Sequence, residues 1–208
     1  MSSRRRKRDS TEKRSFTSSL KRLPLGIISS FILPYLNDYD VKNACQTEII
    51  EIQQYAYRTA LWHIDEVTDI NRPNIQRVRE VTKLLQVKSM NKLIELHCYR
   101  FLNEPLENRG VKLLPDSLQT LTFRQYFNQP LEFNGQRLLP DGLQTLTFGD
   151  RFNHPLGFNG QRLLPDSLQT LTLGLYFNKP LEVDGKPLIP DGLQLRQDDD
   201  GIWIFTRG

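Results

Sequence analysis

One unit is written four times between Leu93 and Leu195. Its clearest copy runs Phe127-Asn-Gln-Pro-Leu131, then Leu139-Pro-Asp141, then Leu143-Gln-Thr-Leu146-Thr-Phe148, and the pattern restarts at Phe152. Asn103, Asn128, Asn153 and Asn178 recur at steps of 25 residues (128−103, 153−128, 178−153), and each is followed two positions later by Pro105, Pro130, Pro155 or Pro180. A unit of this length has one apolar stripe that it cannot cover alone, so a fixed period means coils stacked on their neighbours. The expected architecture is a solenoid.

Residues within a copy sort by role. Leu118, Leu121 and Phe123 alternate as the inward side of a short strand, with Gln119, Thr120 and Thr122 on the outer face; the equivalent inward sets are Leu93/Leu96/Cys98, Leu143/Leu146/Phe148 and Leu168/Leu171/Leu173. Asn103, Asn128, Asn153 and Asn178 are expected to form a structural ladder of buried amides that bond turn backbone otherwise left without partners. The proline that follows fixes φ and removes a donor at the bend. Asn134-Gly135, Asn159-Gly160 and Asp184-Gly185 are dipeptides suited to two-residue hairpin turns.

The segment before the repeats reads as helical. Ile27, Ile28, Phe31, Ile32 and Tyr35 have helical spacing after Pro24, which suits a first turn, and Pro34 should end or kink that helix near Leu33. Asp40 is an N-cap for a second helix starting at Val41 and continuing through Ala44, Cys45, Ile49 and Ile52, and a third runs from Tyr55 to Val67. Asn71-Arg72-Pro73-Asn74 marks a junction. The expected division is a disordered basic arm over 1–22, a helical domain over 23–70, a linker and N-terminal cap over 71–92, four repeats over 93–195 and a tail over 196–208. In that tail, Ile202, Trp203, Ile204 and Phe205 are expected to fold back over the last coil, because an uncovered apolar end invites aggregation.

Charge bounds the partners. Residues 1–22 hold nine Lys/Arg against Asp9 and Glu12, a net of +7, so the remainder of a chain with net charge +4 carries 4−7 = −3. The block Arg4 to Arg8 suits a nuclear-import signal, a weak phosphate-binding tail or a plain solvated terminus. No apolar run reaches the roughly 18 residues that cross a bilayer, and no apolar region follows the basic start, so an intracellular location is expected. Two cysteines, Cys45 and Cys98, are too few for a disulfide framework or a zinc cluster.

No catalytic constellation is visible. His63, His97 and His154 are scattered over unrelated elements, and Asp116, Asp141, Asp166 and Asp191 sit among Pro and Leu without the six to eight oxygens calcium takes, so turn capping is their expected role. Neither metal nor cofactor is expected. Variation between copies concentrates after the strand, at Arg124-Gln125-Tyr126, Gly149-Asp150-Arg151 and Gly174-Leu175-Tyr176, and again at Glu104, Gln129, His154 and Lys179. In a stack these positions form an exposed ridge, so Arg124, Tyr126, Asp150, Arg151, Leu175 and Tyr176 are the candidate partner contacts.

Two resemblances extend this reading. Leu23-Pro24 opening a helix, Ile32-Leu33-Pro34-Tyr35-Leu36, Asp40-Val41 and Leu61-Trp62 resemble the F-box, a three-helix motif, and Phe-Asn-x-Pro-Leu with Leu-Pro-x-x-Leu-x-x-Leu resembles the FNIP repeat, a relative of the leucine-rich repeat with about three residues fewer per copy. Together they are similar to the F-box and FNIP repeat-containing proteins of giant DNA viruses. The resemblance implies an α+β fold, a three-helix F-box-like domain followed by a leucine-rich-repeat-like solenoid. It further implies a non-enzymatic substrate adaptor, in which Leu23, Pro24, Ile27, Ile28, Ile32, Leu36 and Val41 contact the host's Skp adaptor of a cullin-RING ubiquitin ligase while the repeats hold a target protein. A plain three-helix cap on the solenoid accounts for the same helices. A scaffold outside any ligase, and nucleic-acid binding through the basic arm, are the competing functions.

Overall fold

A computed structural model describes residues 50–66 and 74–208. The chain forms two compact units, Met1–Leu61 and Trp62–Gly208. In the first, helix α1 (Ile50–Thr59) is described, with Arg58 Nε donating to the Gln54 carbonyl in its last turn at 3.3 Å. The helix expected from Leu23, the part of the helix expected from Val41 that precedes Ile50, the contact set Leu23 to Val41 and Cys45 lie outside the described residues; Ile52 and Tyr55, expected in separate helices, share α1.

The second unit is built on one eight-stranded sheet. Its strands are β1 (Trp62–His63), β2 (Arg77–Val81), β3 (Glu95–Cys98), β4 (Thr120–Thr122), β5 (Thr145–Thr147), β6 (Thr170–Leu173), β7 (Leu193–Gln197) and β8 (Trp203–Arg207). The order is β1-β2-β3-β4-β5-β6-β8-β7. All pairs from β1 to β6 are parallel; the β2–β3 pair shifts register between Val78 and Val81, and from β3 to β6 the pairing is in register on the inward leucines: Leu96 beside Leu121, Leu121 beside Leu146, Leu146 beside Leu171. Each of these side chains is fully buried, as are Leu93, Cys98, Leu118, Phe123, Leu143, Leu168 and Leu173. Phe123 stacks on Phe127 and Phe148 on Phe152, both pairs at 3.7 Å between ring centroids, and Phe127–Phe152 at 6.2 Å and Phe152–Phe177 at 6.1 Å carry the column from coil to coil. The solenoid therefore has a continuous interior of leucine and phenylalanine. Removing this much apolar surface from water, at about 25 cal/mol per Å², is what offsets the entropy of ordering short strands.

Each 25-residue coil carries a small hairpin on its return side. Glu107–Asn108 pairs with Val111–Lys112, Glu132–Phe133 with Gln136–Arg137, Gly157–Phe158 with Gln161–Arg162, and Glu182–Val183 with Lys186–Pro187, all antiparallel. In the second hairpin, Asn134 and Gly135 take φ of 52° and 81°; this twist matches a two-residue turn and favours Asn-Gly. The Glu132 carboxylate accepts the Gly135 N–H at 2.8 Å, and Leu138 N–H closes the base on the Leu131 carbonyl at 2.9 Å.

One expectation about the start of the solenoid is corrected. The third helix stops at Thr59 instead of Val67, since Trp62 pairs with Val78 in the sheet and is itself buried, and a short 3-10 turn, Ile64–Glu66, follows. Within the segment expected as linker and N-terminal cap over 71–92, the described residues form a coil stacked on the first repeat: β2 and the 3-10 turn Leu84–Gln86 bury Ile75, Val78, Val81, Leu84, Val87 and Met90. The step from Val78 to its partner Leu96 is 18 residues (96−78), against 25 from Leu96 to Leu121 (121−96). The seven-residue difference corresponds to the hairpin, which this coil lacks.

At the other end the parallel run stops for a chemical reason. The 25-residue step maps Leu168, Leu171 and Leu173 onto Leu193, Arg196 and Asp198, so a fifth strand in the same register would place a guanidinium and a carboxylate in the interior. The chain instead turns at Asp198–Gly201, where the Asp198 carboxylate accepts the N–H groups of Asp200 and Ile202. β8 then runs antiparallel between β6 and β7, setting Phe205 beside Leu171 and Trp203 beside Leu173. Phe205 is buried, and β7 is displaced to the sheet edge.

Candidate functional site

After each inward residue at the end of a strand, the chain makes a tight turn closed by an N–H three residues on: Leu102 to Tyr99, Phe127 to Arg124, Phe152 to Gly149, Phe177 to Gly174. The two central residues of every turn therefore face outward, between one buried side chain and the next. Turns of adjacent coils are also tied together, Tyr126 N–H to Arg100 carbonyl at 3.2 Å, Arg151 to Gln125 at 3.1 Å and Tyr176 to Asp150 at 3.1 Å. The approach is close enough that a Cβ at Gly149 would sit 2.5 Å from the Arg124 carbonyl, and one at Gly174 2.4 Å from the Gly149 oxygen. Glycine is required there by the neighbouring backbone.

This construction aligns Phe101, Tyr126, Arg151 and Tyr176, each 25 residues from the last, in one column on the rim. Phe101 is 52% and Tyr176 61% exposed, unusual for rings of that size. The rings of Phe101 and Tyr126 lie 5.0 Å apart, the Arg151 guanidinium sits 4.8 Å over Tyr126, and the Arg100 guanidinium 4.6 Å over Phe101. Arg124 reaches Glu80 at 3.6 Å, while Leu175 is 51% exposed. Of the six expected contact residues, Tyr126, Arg151 and Tyr176 share this column, and Arg124, Asp150 and Leu175 occupy the two positions before it. Phe101 and Arg100 escaped the sequence comparison because the first copy carries no Phe-Asn match upstream of them. Reading the copies column by column at 25-residue steps brings both in.

The asparagines run alongside. Asn103 Oδ1 accepts the Asn128 N–H at 2.8 Å, Asn128 Oδ1 accepts Asn153 N–H at 2.9 Å, and Asn153 Oδ1 accepts Asn178 N–H at 3.1 Å. The ladder is not buried, however: Asn103, Asn128 and Asn178 are exposed and Asn153 half-buried. Each amide bonds the N–H of its counterpart in the next coil, at a rim where the phenylalanine before it has already sealed the interior. Between the asparagines and the aromatic column lies an open groove of about 640 Å³, lined by both.

The remaining expected residues are dispersed. Burial pushes the Cys98 thiol well above its ordinary pKa, consistent with an inert core position. His97 Nε2 lies 2.7 Å and Arg77 Nε 2.6 Å from the Glu95 carboxylate on the outer sheet face. Burial opposes that carboxylate's charge, but the hydrogen bonds and charges of Arg77 and His97 leave its pKa below the usual value. His63 lies beside Asp65, and His154 beside the Phe152 ring. Asp116, Asp141 and Asp166 do not cap turns: their exposed carboxylates pair with Lys112, Arg137 and Arg162, four residues earlier on the hairpins.

No protein-family model and no curated protein matches the sequence. A solved structure described as CroV588, a novel circular LRR protein, is similar over 64% of this chain at 24% identity and a TM-score of 0.41; the chain spans 22% of its length. Among the described residues no helix is long and apolar enough to cross a membrane.

Proposed function

We propose that the solenoid is a non-catalytic interaction module that holds a partner protein on the rim formed by the turns after the strands. The observation carrying this is the contrast between adjacent positions: Phe127, Phe152 and Phe177 repeat unchanged and buried, whereas the position immediately before them is not held to one residue, with Arg151 between Tyr126 and Tyr176, and is half-buried to exposed. Stacking alone demands only the first set. Rigid exposed aromatics with an interleaved arginine are the side chains that dominate protein–protein affinity.

The finer reading, from the sequence resemblance, is a substrate adaptor: residues 23–70 engage the Skp adaptor of a host cullin-RING ligase and the rim presents the target. A scaffold outside any ligase uses the same rim without Skp. Affinity purification of the full chain from host cells separates them. Co-purification of Skp and cullin that is lost on replacing Leu23 and Pro24 by Ala supports the adaptor; partner capture without Skp, unchanged by that double substitution, supports the scaffold; absence of any partner dependent on Tyr126 and Arg151 overturns both.

A further inference from the structure

The groove beside the rim column offers chiefly hydrogen-bond donors to a ligand. In the asparagine ladder the donor is a backbone N–H, so the atom it meets must be Oδ1, and the amide NH2 groups of Asn128 and Asn153 must point away from the bond. Among the described residues those NH2 groups make no hydrogen bond. The Arg151 guanidinium sits over Tyr126 and has no carboxylate partner among the described residues, so its N–H donors remain available to a ligand. One face of Phe101 carries the Arg100 guanidinium and one face of Tyr126 the Arg151 guanidinium, and the two rings lie tilted beside each other, which leaves part of each ring's electropositive edge towards the groove. Nearby carboxylates are mostly engaged, Glu80 by Arg124 and the Glu104 oxygen by the Leu84 N–H. Asp150, on the neighbouring column, is the exception.

We propose that this groove binds an extended acidic segment of a partner protein, its carboxylates meeting the Arg151 fork and the amide NH2 groups of Asn128 and Asn153; this rests on the interaction reading above. Four coils at a strand spacing of about 4.8 Å give a groove of roughly 15 Å, enough for about five extended residues. Asp150 sets the register by repelling acidic residues from its side. Single-stranded nucleic acid is the disfavoured occupant, because a guanidinium already takes one stacking face each of Phe101 and Tyr126 and Asp150 on the neighbouring column repels a phosphate backbone as well. The turn-to-turn hydrogen bonds hold the donors in place before binding, so little ordering cost remains.

The test is fluorescence anisotropy on the full chain with a fluorescein-labelled Glu-Gly repeat peptide of about eight residues, its Gln-Gly counterpart and an oligothymidylate of similar length. The Glu peptide should bind at least about tenfold more tightly than the Gln peptide; Arg151→Gln should cost about tenfold, Arg151→Lys less, and Lys186→Gln, on a distant hairpin, under about twofold. Thermal melts of the variants matching the parent assign those losses to the groove. Equal binding of Glu and Gln peptides, indifference to Arg151→Gln, or tighter oligothymidylate binding that Arg151→Gln abolishes would each overturn the proposal. A partner protein lost in Arg151→Gln yet not displaced by excess Glu peptide overturns the acidic segment while leaving the interaction module standing.

Discussion

Two columns of aromatic side chains run along the solenoid one residue apart, and they obey different rules. The inner one, Phe127, Phe152 and Phe177, is nearly parallel, with interplanar angles of 13° and 8°, and nearly inaccessible to solvent. The outer one, Phe101, Tyr126, Arg151 and Tyr176, is tilted, mixed in chemistry and solvent-facing. Both are spaced by the same backbone, so the difference lies in what each side chain must satisfy. An inward ring has to fill a fixed volume against identical neighbours. An outward ring has only to avoid clashes, which leaves its identity free for recognition.

The largest effect is expected where the inner stack is uncovered. Truncation after Leu195 removes Phe205 and Trp203 from against Leu171 and Leu173 and exposes the edge of β6, so the shortened chain should melt at lower temperature and aggregate on heating; unchanged melting and light scattering would mean β8 contributes nothing. Next comes the direct comparison of columns. Phe152→Ala should cost about 3–5 kcal/mol in urea unfolding, whereas Tyr126→Ala should cost about 0.5–1.5, the worth of its ring and cation contacts. Similar losses at both sites would erase the distinction.

A smaller effect sharpens the boundary between the columns. Because the asparagine ladder is at the rim, Asn153→Ala should cost only about 0.5–1.5 kcal/mol, the net worth of one hydrogen bond, and Asn153→Asp should retain most of it, since a carboxylate that is only half-buried also accepts the Asn178 N–H. A buried ladder would punish the Asp variant more than Ala. The smallest effect lies on the outer sheet face. The Glu95 pKa is lower in the folded chain than its ordinary value of about 4.3, so its contribution is complete above that pH and is lost as the pH falls through the lowered folded value. The difference in urea midpoint between the parent and Glu95→Gln should shrink as the pH falls below about pH 4.

The repeats were legible because identities recurred at a fixed step, and the inward sets read from Leu118, Leu121 and Phe123 coincide with the buried ones. The coil containing Ile75, Val78 and Val81 was not, since without the hairpin it has neither the 25-residue step nor a Phe-Asn-x-Pro mark; its inward pattern, Ile75-x-x-Val78, nonetheless matches Leu93-x-x-Leu96. Asparagine burial was misjudged by analogy with other leucine-rich coils: in this one the phenylalanine, not the amide, closes the interior. Thr59 as a helix end had no local marker, because what ends the helix is Trp62 finding Val78 sixteen residues away (78−62). The rim's position showed in the sequence as variation. Its polarity did not, because that depends on which face of each ring and which atom of each amide the neighbouring coil has already taken.

The close in-register joining of β4, β5 and β6 has a further consequence. Each coil meets the same set of inward residues above and below, so a duplicated 25-residue segment would find matching surfaces on both sides and would leave Trp62 and Phe205 with their present partners. Length in this molecule is thus quantised: gene duplication would add one rung, about 4.8 Å of groove and one new pair of outward residues at a time. Such a chain behaves as an extensible ruler whose graduations can be lettered one by one.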